Sequence, residues 1–288
     1  MKTTTRPPLL FRLAKRLIRH ELRGGHRIIE VAQKLRAWDV EVRYQLDDRF
    51  TIDVPIYREA TPWDARDVLD YERDHVEFLA AAAARLPRPV LFLDCGADIG
   101  TFSVLLARKC AAIDRIIAFE PNRTAFQVCE TNIARLPVSG EVKNVAVSDF
   151  VGKGELVAPA HDKSEHAFYL VPSPSGTIPV TRLDELDVRW EDTSVVVKLD
   201  VEGNEMKALR GAESALRRAK GFAVSLEANP RVQERTGEDP LECVRYLRDV
   251  RRCKATVSEE PGVEIDLGRG FFDQVRGRVY NVVCESSA

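Results

Sequence analysis

The sequence predicts an α/β fold built on a mainly parallel, Rossmann-like sheet of seven strands. Three observations predict it. From Val90 onward, apolar runs alternate with amphipathic segments at strand and helix spacing. Two of the runs, Val195-Val196-Val197 and Phe222-Ala223-Val224-Ser225-Leu226, suit strands covered by helices on both faces. The run 90–94 ends in Asp94-Cys95-Gly96-Ala97-Asp98-Ile99-Gly100, and the next run closes on Glu120, 20 residues beyond Gly100. That is the layout of a nucleotide-type crevice. Its glycines permit close backbone approach, and an acid ending the second strand holds ribose hydroxyls.

In chain order, residues 8–36 read as one or two basic helices broken at Gly24-Gly25. Leu10, Leu13, Leu17 and Ile18 share a face, with Arg12, Lys15, Arg16 and Arg19 around it. Such a segment suits a membrane-surface or lipid-linked-substrate anchor. The commoner outcome is a helix packed on the protein or on a second copy in a homo-oligomer. Residues 41–46 and 50–56 alternate about Asp47-Asp48-Arg49 and predict a hairpin. Thr61-Pro62-Trp63-Asp64 starts a helix, continuous or interrupted, that runs to about Leu86 and stops at Pro87 and Pro89.

Strands follow at 90–94, 115–120, 142–147, 195–200 and 222–227, and helices at 101–110, 123–135, 204–218 and 240–250. Late strands at 254–258 and 278–283 form a closing hairpin with an antiparallel edge strand. Between 150 and 181, seven Gly and Pro residues interrupt the alternation and mark an insertion. The expected division is an N-terminal helical and hairpin extension, 1–60, before one larger domain, 61–288.

With 44% hydrophobic and 31% charged residues, the composition is that of a soluble globular protein. The net charge of -2 hides an asymmetry: residues 1–36 sum to +8, the rest to -10. An acidic body argues against a nucleic-acid substrate. The six cysteines form no CxxC pair or zinc-spaced cluster, so a metal site is not expected and a reducing, cytoplasmic setting is. No apolar run has signal-peptide or membrane-spanning length.

The glycine spacing is Gly96-x-x-x-Gly100, not that of a dinucleotide cradle, and Asp94 and Asp98 would repel a pyrophosphate. Two carboxylates instead suit a ligand carrying an ammonium and a sulfonium, S-adenosylmethionine, with Glu120 on its ribose. Ser148 or Asp149, closing the third strand, is placed to read the adenine amino group; a plain surface turn is the other reading. In Lys198-Leu199-Asp200-Val201-Glu202-Gly203 the charged residues alternate at the end of a buried strand, where α/β sheets place reacting groups. Glu227, before Asn229-Pro230, ends the next strand on the same rim. His161 and His166 fall in the insertion and read as lid or solvated loop residues. The bland reading of the rim is helix caps and a structural ion pair.

The chain resembles the FkbM family of S-adenosylmethionine-dependent methyltransferases over roughly 90–230. The resemblance rests on Asp94-Cys95-Gly96-Ala97-Asp98-Ile99-Gly100, Phe119-Glu120-Pro121-Asn122, Asn144-Val145-Ala146-Val147-Ser148-Asp149, Thr181-Arg182-Leu183-Asp184, Lys198 to Glu205, and Leu209-Arg210-Gly211-Ala212. Two positions depart from the family pattern, which has an amide at Asp98 and a β-branched residue at Cys95. The resemblance implies a class I methyltransferase fold and O-methylation of sugar or natural-product hydroxyls. It also implies that Ala97, Pro121, Asn122 and Ala146 line the cofactor pocket with the residues above. An aliphatic hydroxyl must lose its proton to attack, and Asp200 is expected either to accept that proton or to orient the acceptor, with Glu202 or Glu227 as competitor and Lys198 fixing its position. A saccharide is the first expected acceptor, a small secondary metabolite the second. A nicotinamide enzyme lacks its glycine pattern here. A cofactor-binding partner without activity would not need intact carboxylates at 94, 120, 200 and 202.

Overall fold

The computed structural model describes residues 2–35, 40–56, 63–159, 168–263, 265–275 and 279–286. At the N-terminus, β1 (Lys2–Thr4) precedes α1 (Leu9–Arg19) and α2 (Gly25–Lys34). The hairpin expected around Asp47 follows as β2 (Val40–Gln45) and β3 (Thr51–Pro55), and β1 adds to β2 in parallel. Asp47 Oδ1 accepts from the amides of Arg49 and Phe50 at 2.9 and 3.1 Å, which fixes the turn. Strand β1 lacks an apolar pattern, so only its partner reveals it. Helix α1 divides its apolar residues differently from the expected single face. Phe11 and Ala14 are buried and Ile18 packs against the core, whereas Leu9, Leu10 and Leu13 point outward. Lys15 lies on the buried face because Asp67 meets its ammonium at 2.7 Å.

The helix expected to run from Thr61 to Leu86 is two helices, α3 (Ala65–Asp70) and α4 (Arg73–Arg85). Thr61 and Pro62 lie outside the described residues, and Asp64 caps α3 in a reciprocal box with Asp67. The break falls at Glu72, whose φ of 42° is left-handed.

Strand and helix then alternate through β4 (Val90–Cys95), α5 (Thr101–Lys109), β5 (Ile113–Phe119), α6 (Arg123–Ile133) and β6 (Ser139–Lys143). The single strand expected over 142–147 splits, because Asn144 turns the chain. Its side-chain amide donates to the carbonyls of Glu120 and Pro121 at 2.8 and 3.1 Å. Beyond it, β7 (Ala146–Val147) leaves the main sheet and joins β8 (Gly152–Val157), β9 (Tyr169–Pro172) and β10 (Ile178–Thr181) in a four-stranded sheet, order β7-β10-β8-β9.

The chain returns with β11 (Ser194–Leu199), α7 (Glu205–Arg210), α8 (Glu213–Arg218), β12 (Phe222–Ala228), α9 (Pro230–Thr236), α10 (Pro240–Val250), β13 (Cys253–Val257) and β14 (Tyr280–Ser286). The main sheet has the order β13-β14-β12-β11-β4-β5-β6. Only β14 runs antiparallel, one place inside the edge that β13 forms. The helix expected over 204–218 breaks at Gly211-Ala212, where the insertion docks. Asp184 donates its amide to the Gly211 carbonyl at 2.9 Å, and a Cβ on Gly211 would lie 2.0 Å from the Ser148 carbonyl oxygen. The Asp184 carboxylate in turn accepts from the amides of Ser214 and Ala215 at 3.2 and 2.8 Å, capping α8 from 30 residues away. The Thr181-Arg182-Leu183-Asp184 motif is thus a clasp between the end of the insertion and the α7–α8 turn.

Both faces of the main sheet are covered. Phe92, Ile116 and Val196 face the side built by α4, α5, α6 and the N-terminal elements. Leu93, Ile117, Val195 and Val197 face α8 and α10. Asn132 on α6 joins the N-terminal hairpin to this core. It is fully buried, accepts from the Asp53 amide at 2.7 Å, and donates to the carbonyls of Asp53 and Ile99 at 3.0 and 2.8 Å. Asn132→Ala strands three backbone groups, and a loss of about 3 kcal/mol in urea-melt stability is expected. A change below the error of the melt would remove Asn132 as the joint.

Candidate active site

Strands β4, β5, β11 and β12 all end on one rim, where the loops that follow them enclose a cleft of about 1160 Å³. Of the residues expected there, Asp94, Gly96, Ala97, Asp98, Glu120, Pro121, Asn122, Ala146, Lys198, Asp200, Glu202 and Glu227 line it. Gly100, Ser148 and Asp149 do not. Gly100 starts α5 in the left-handed region, against Cys129. Ser148 is fully buried, its amide held by the Thr181 carbonyl and its own carbonyl against Gly211, while Asp149 is exposed. Val145, Ala146 and Val147 form that wall instead. His161 and His166 lie outside the described residues.

The glycine loop works differently from a phosphate cradle. The amides of Gly96 and Ala97 both donate to the Phe119 carbonyl at 3.0 Å, that of Asp98 to Glu120 Oε2 at 2.8 Å, and that of Gly100 to the Ala97 carbonyl at 2.7 Å. These amides are thus already engaged, by the Phe119 carbonyl, the Glu120 carboxylate and the Ala97 carbonyl. The carboxylates of Asp94, Asp98 and Glu120 line this part of the cleft. Gly96 is required by closeness, because it has a φ of 83° and a Cβ would sit 1.9 Å from the Asp200 carbonyl oxygen. Glu120 is fixed by two amides, from Asp98 and from Asn122 at 2.7 Å. A carboxylate offers about four acceptor positions, so this anchoring is compatible with hydroxyl donors.

Lys198 lies at the centre, 3% exposed, with its ammonium 2.7 Å from Asp200 Oδ2 and 5.2 Å from the centre of the Phe102 ring. Burial opposes its charge, but the carboxylates of Asp200, Glu72 and Asp94 outweigh that and hold its pKa above the usual lysine value. Glu72 is the residue that periodicity could not find. Burial raises its pKa, but the hydrogen bond from His75 and the charge of Lys198 pull it down to about 2. His75 bridges Glu72 at Nδ1, 2.9 Å, and the Ser225 hydroxyl at Nε2, 2.7 Å, so a proton on Nδ1 satisfies the carboxylate. The left-handed kink at Glu72 turns α4 into this network, and only a structural comparison of distant segments exposes it.

Asp94 is fully buried. Its Oδ2 accepts from the Ser103 hydroxyl at 2.6 Å, and its Oδ1 has no hydrogen-bond partner among the described residues. Burial raises its pKa, while Lys198 and Ser103 oppose the rise. Glu227 is pushed far above the usual carboxylate range, by burial first and then by Asp200, with which it shares a hydrogen bond. Burial therefore favours the protonated form of Glu227. Glu205 does not face the cleft. Burial raises it to about 7 while the amides of Val201 and Gly203 bind its Oε1 at 3.2 Å, shaping the turn at Gly203.

The family model described as the methyltransferase FkbM domain matches residues 94–254, more than half of the chain. The chain belongs to the FkbM methyltransferase family. It is 28% identical over 191 residues to the hexuronic acid methyltransferase AglP of Haloferax volcanii, covering 66% of this chain and 72% of that protein. Among solved structures it is similar to the FkbM methyltransferase of Methylobacillus flagellatus KT, with TM-score 0.44, 18% identity and coverage of 69% of this chain. It spans 45% of that protein's length. It is also similar to M. jannaschii TYW2 in complex with AdoMet, with TM-score 0.41, 12% identity and coverage of 85% and 84%.

The methyl donor of FkbM methyltransferases is S-adenosylmethionine. The rim fits it. Asp94 presents an unsatisfied buried oxygen suited to an ammonium, Glu120 is preset for ribose hydroxyls, and Phe119, Val145 and Val147 supply an apolar wall for a base.

Lys198→Met removes the cation from among three carboxylates, and a loss of about 3–5 kcal/mol at pH 7 is expected. Without the ammonium, the folded-state carboxylate pKa values rise, so the penalty is full above those raised values and shrinks as pH falls through the carboxylate range. Urea melts at pH 7 and pH 4 check this; a gap that does not narrow would show that charge is not what Lys198 supplies.

Proposed function

We propose that this FkbM methyltransferase transfers a methyl group from S-adenosylmethionine to a hydroxyl of an acidic saccharide. The observation that carries the reading is the carboxyl pair at the rim. Glu227 shares a hydrogen bond with Asp200 and burial favours its protonated form, while Lys198 holds Asp200 Oδ2 at 2.7 Å. A group that holds its proton at neutral pH cannot accept another, so Asp200 is the base and Glu227 orients it. Glu202 is the competitor, with Arg235 Nη2 3.8 Å from its carboxylate.

When bound, the donor supplies a methyl group made electrophilic by the sulfonium. The chain's own residues align the rest. Asp94 and Glu120 hold the donor's amino acid and ribose ends, and Asp200 removes the proton from the acceptor hydroxyl as the oxygen attacks. Phe168 and Leu170 of the insertion wall off the cleft on that side, and Asn204 ties Leu170 to the loop after β11 at 3.3 Å.

Two features support an acidic sugar. Arg231 and Arg235 line the cleft beyond Glu227, where they suit a carboxylate. The similarity to a hexuronic acid methyltransferase points the same way.

Labelled methyl transfer to uronate-containing and neutral saccharides tests the acceptor. The expected product is an alkali-stable ether on the uronate saccharide; an alkali-labile label would place the methyl on a carboxyl group instead. Between carboxylates, Asp200→Asn should lower kcat about 100-fold or more with donor affinity retained, whereas Glu227→Gln keeps a donor to Asp200 and should cost less than about tenfold. Reversal of that order would make Glu227 the base.

A further inference from the structure

Six of the nine large apolar side chains exposed among the described residues fall between Leu9 and Leu35: Leu9, Leu10, Leu13, Leu22, Val31 and Leu35. Leu9 and Leu35 are the most open, at 72% and 73%. On α1 the exposed leucines form one stripe, opposite the face that Phe11 and Ala14 bury against the core. The stripe is not left over from a weak helix. Its buried face is anchored by Lys15 on Asp67 and by Arg19 on Asp64.

Basic residues border the stripe. Arg6, Arg12, Arg16, Arg23 and Arg27 are all exposed. Residues 1–36 carry +8 in a chain whose remainder is -10. Leucines flanked by arginines on a fixed helix, set on an acidic body, are complementary to a surface that is apolar beneath and negative on top. A second copy meeting this one stripe to stripe would set the bordering arginines against one another. The stripe also lies near the cleft, because Arg19 pairs with Asp64, the neighbour of the cleft-lining Trp63.

We propose that α1 docks the protein on anionic lipid membrane, with Leu9, Leu10 and Leu13 in the interface and the arginines on the headgroups. No described helix is long and apolar enough to cross a membrane, so attachment through α1 is peripheral. The inference stands apart from the choice of acceptor, since lipid binding is read without turnover.

Co-sedimentation of the full chain with phosphatidylcholine vesicles, with and without phosphatidylglycerol, tests it. Binding to the anionic vesicles that weakens with added salt is expected. Arg12→Glu with Arg16→Glu should lower partitioning roughly 30-fold or more, and Leu10→Ser with Leu13→Ser roughly tenfold. All four positions are exposed, and unchanged melting temperatures confirm intact folds. The proposal is overturned by absence of binding to anionic vesicles, or by binding that both double variants retain. It is equally overturned if sedimentation in solution shows a dimer that Leu10→Ser with Leu13→Ser dissolves while the wild-type chain ignores lipid.

Discussion

A single buried ammonium organises this protein. Lys198 stands at the end of a strand flanked on both sides by parallel partners, where an unpaired charge would be prohibitive. It is tolerated because Asp200, Glu72 and Asp94 converge on it from β11's own loop, from the kink before α4, and from β4. Each of these segments must be in place for the cation to be neutralised, so the electrostatics of the rim and the packing of the sheet are one condition. The same cation helps to hold Glu72 below the usual carboxylate range in a site whose burial pushes the other way. Glu227, on the next strand, is pushed up by burial and by Asp200.

That division gives neighbouring carboxyl groups different chemistry. Burial and like charge raise one, while a cation and directed hydrogen bonds lower another. The backbone serves the same end. Gly96 lets the loops after β4 and β11 touch, and the amides of the glycine loop are spent on Phe119 and Glu120. The loop therefore presents side-chain carboxylates to the cleft, which suits a cationic methyl donor better than a diphosphate. The insertion is clasped to the α7–α8 turn by Asp184 and Gly211, so the wall it lends to the cleft is set by hydrogen bonds.

The N-terminal elements belong to this arrangement as well. Asn132 fastens the hairpin to the core, and Asp64 and Asp67 fasten α1 to the start of α3. Basic and apolar residues that look redundant in the sequence are thereby sorted, some into structural pairs and some onto an outward face.

Most of the sheet and much of the rim were legible in the sequence, because local patterns encode them. Doubly covered strands must be apolar throughout, which marked β4, β5, β11 and β12. Carboxylates in the last positions of such strands or directly after them lie at the rim, which marked Asp94, Glu120, Asp200 and Glu227. What tertiary structure alone decided depends on partners distant in the chain. Glu72 joins the site through His75, Ser225 and Lys198, up to 153 positions away, and nothing beside it in sequence announces this. Ser148 and Asp149 follow the right strand, yet Asn144 bends the chain and carries them out of the cleft. The sequence determined which groups could be charged at the rim; the fold decided which of them keep a proton, because burial and neighbouring charge exist only once the strands are paired.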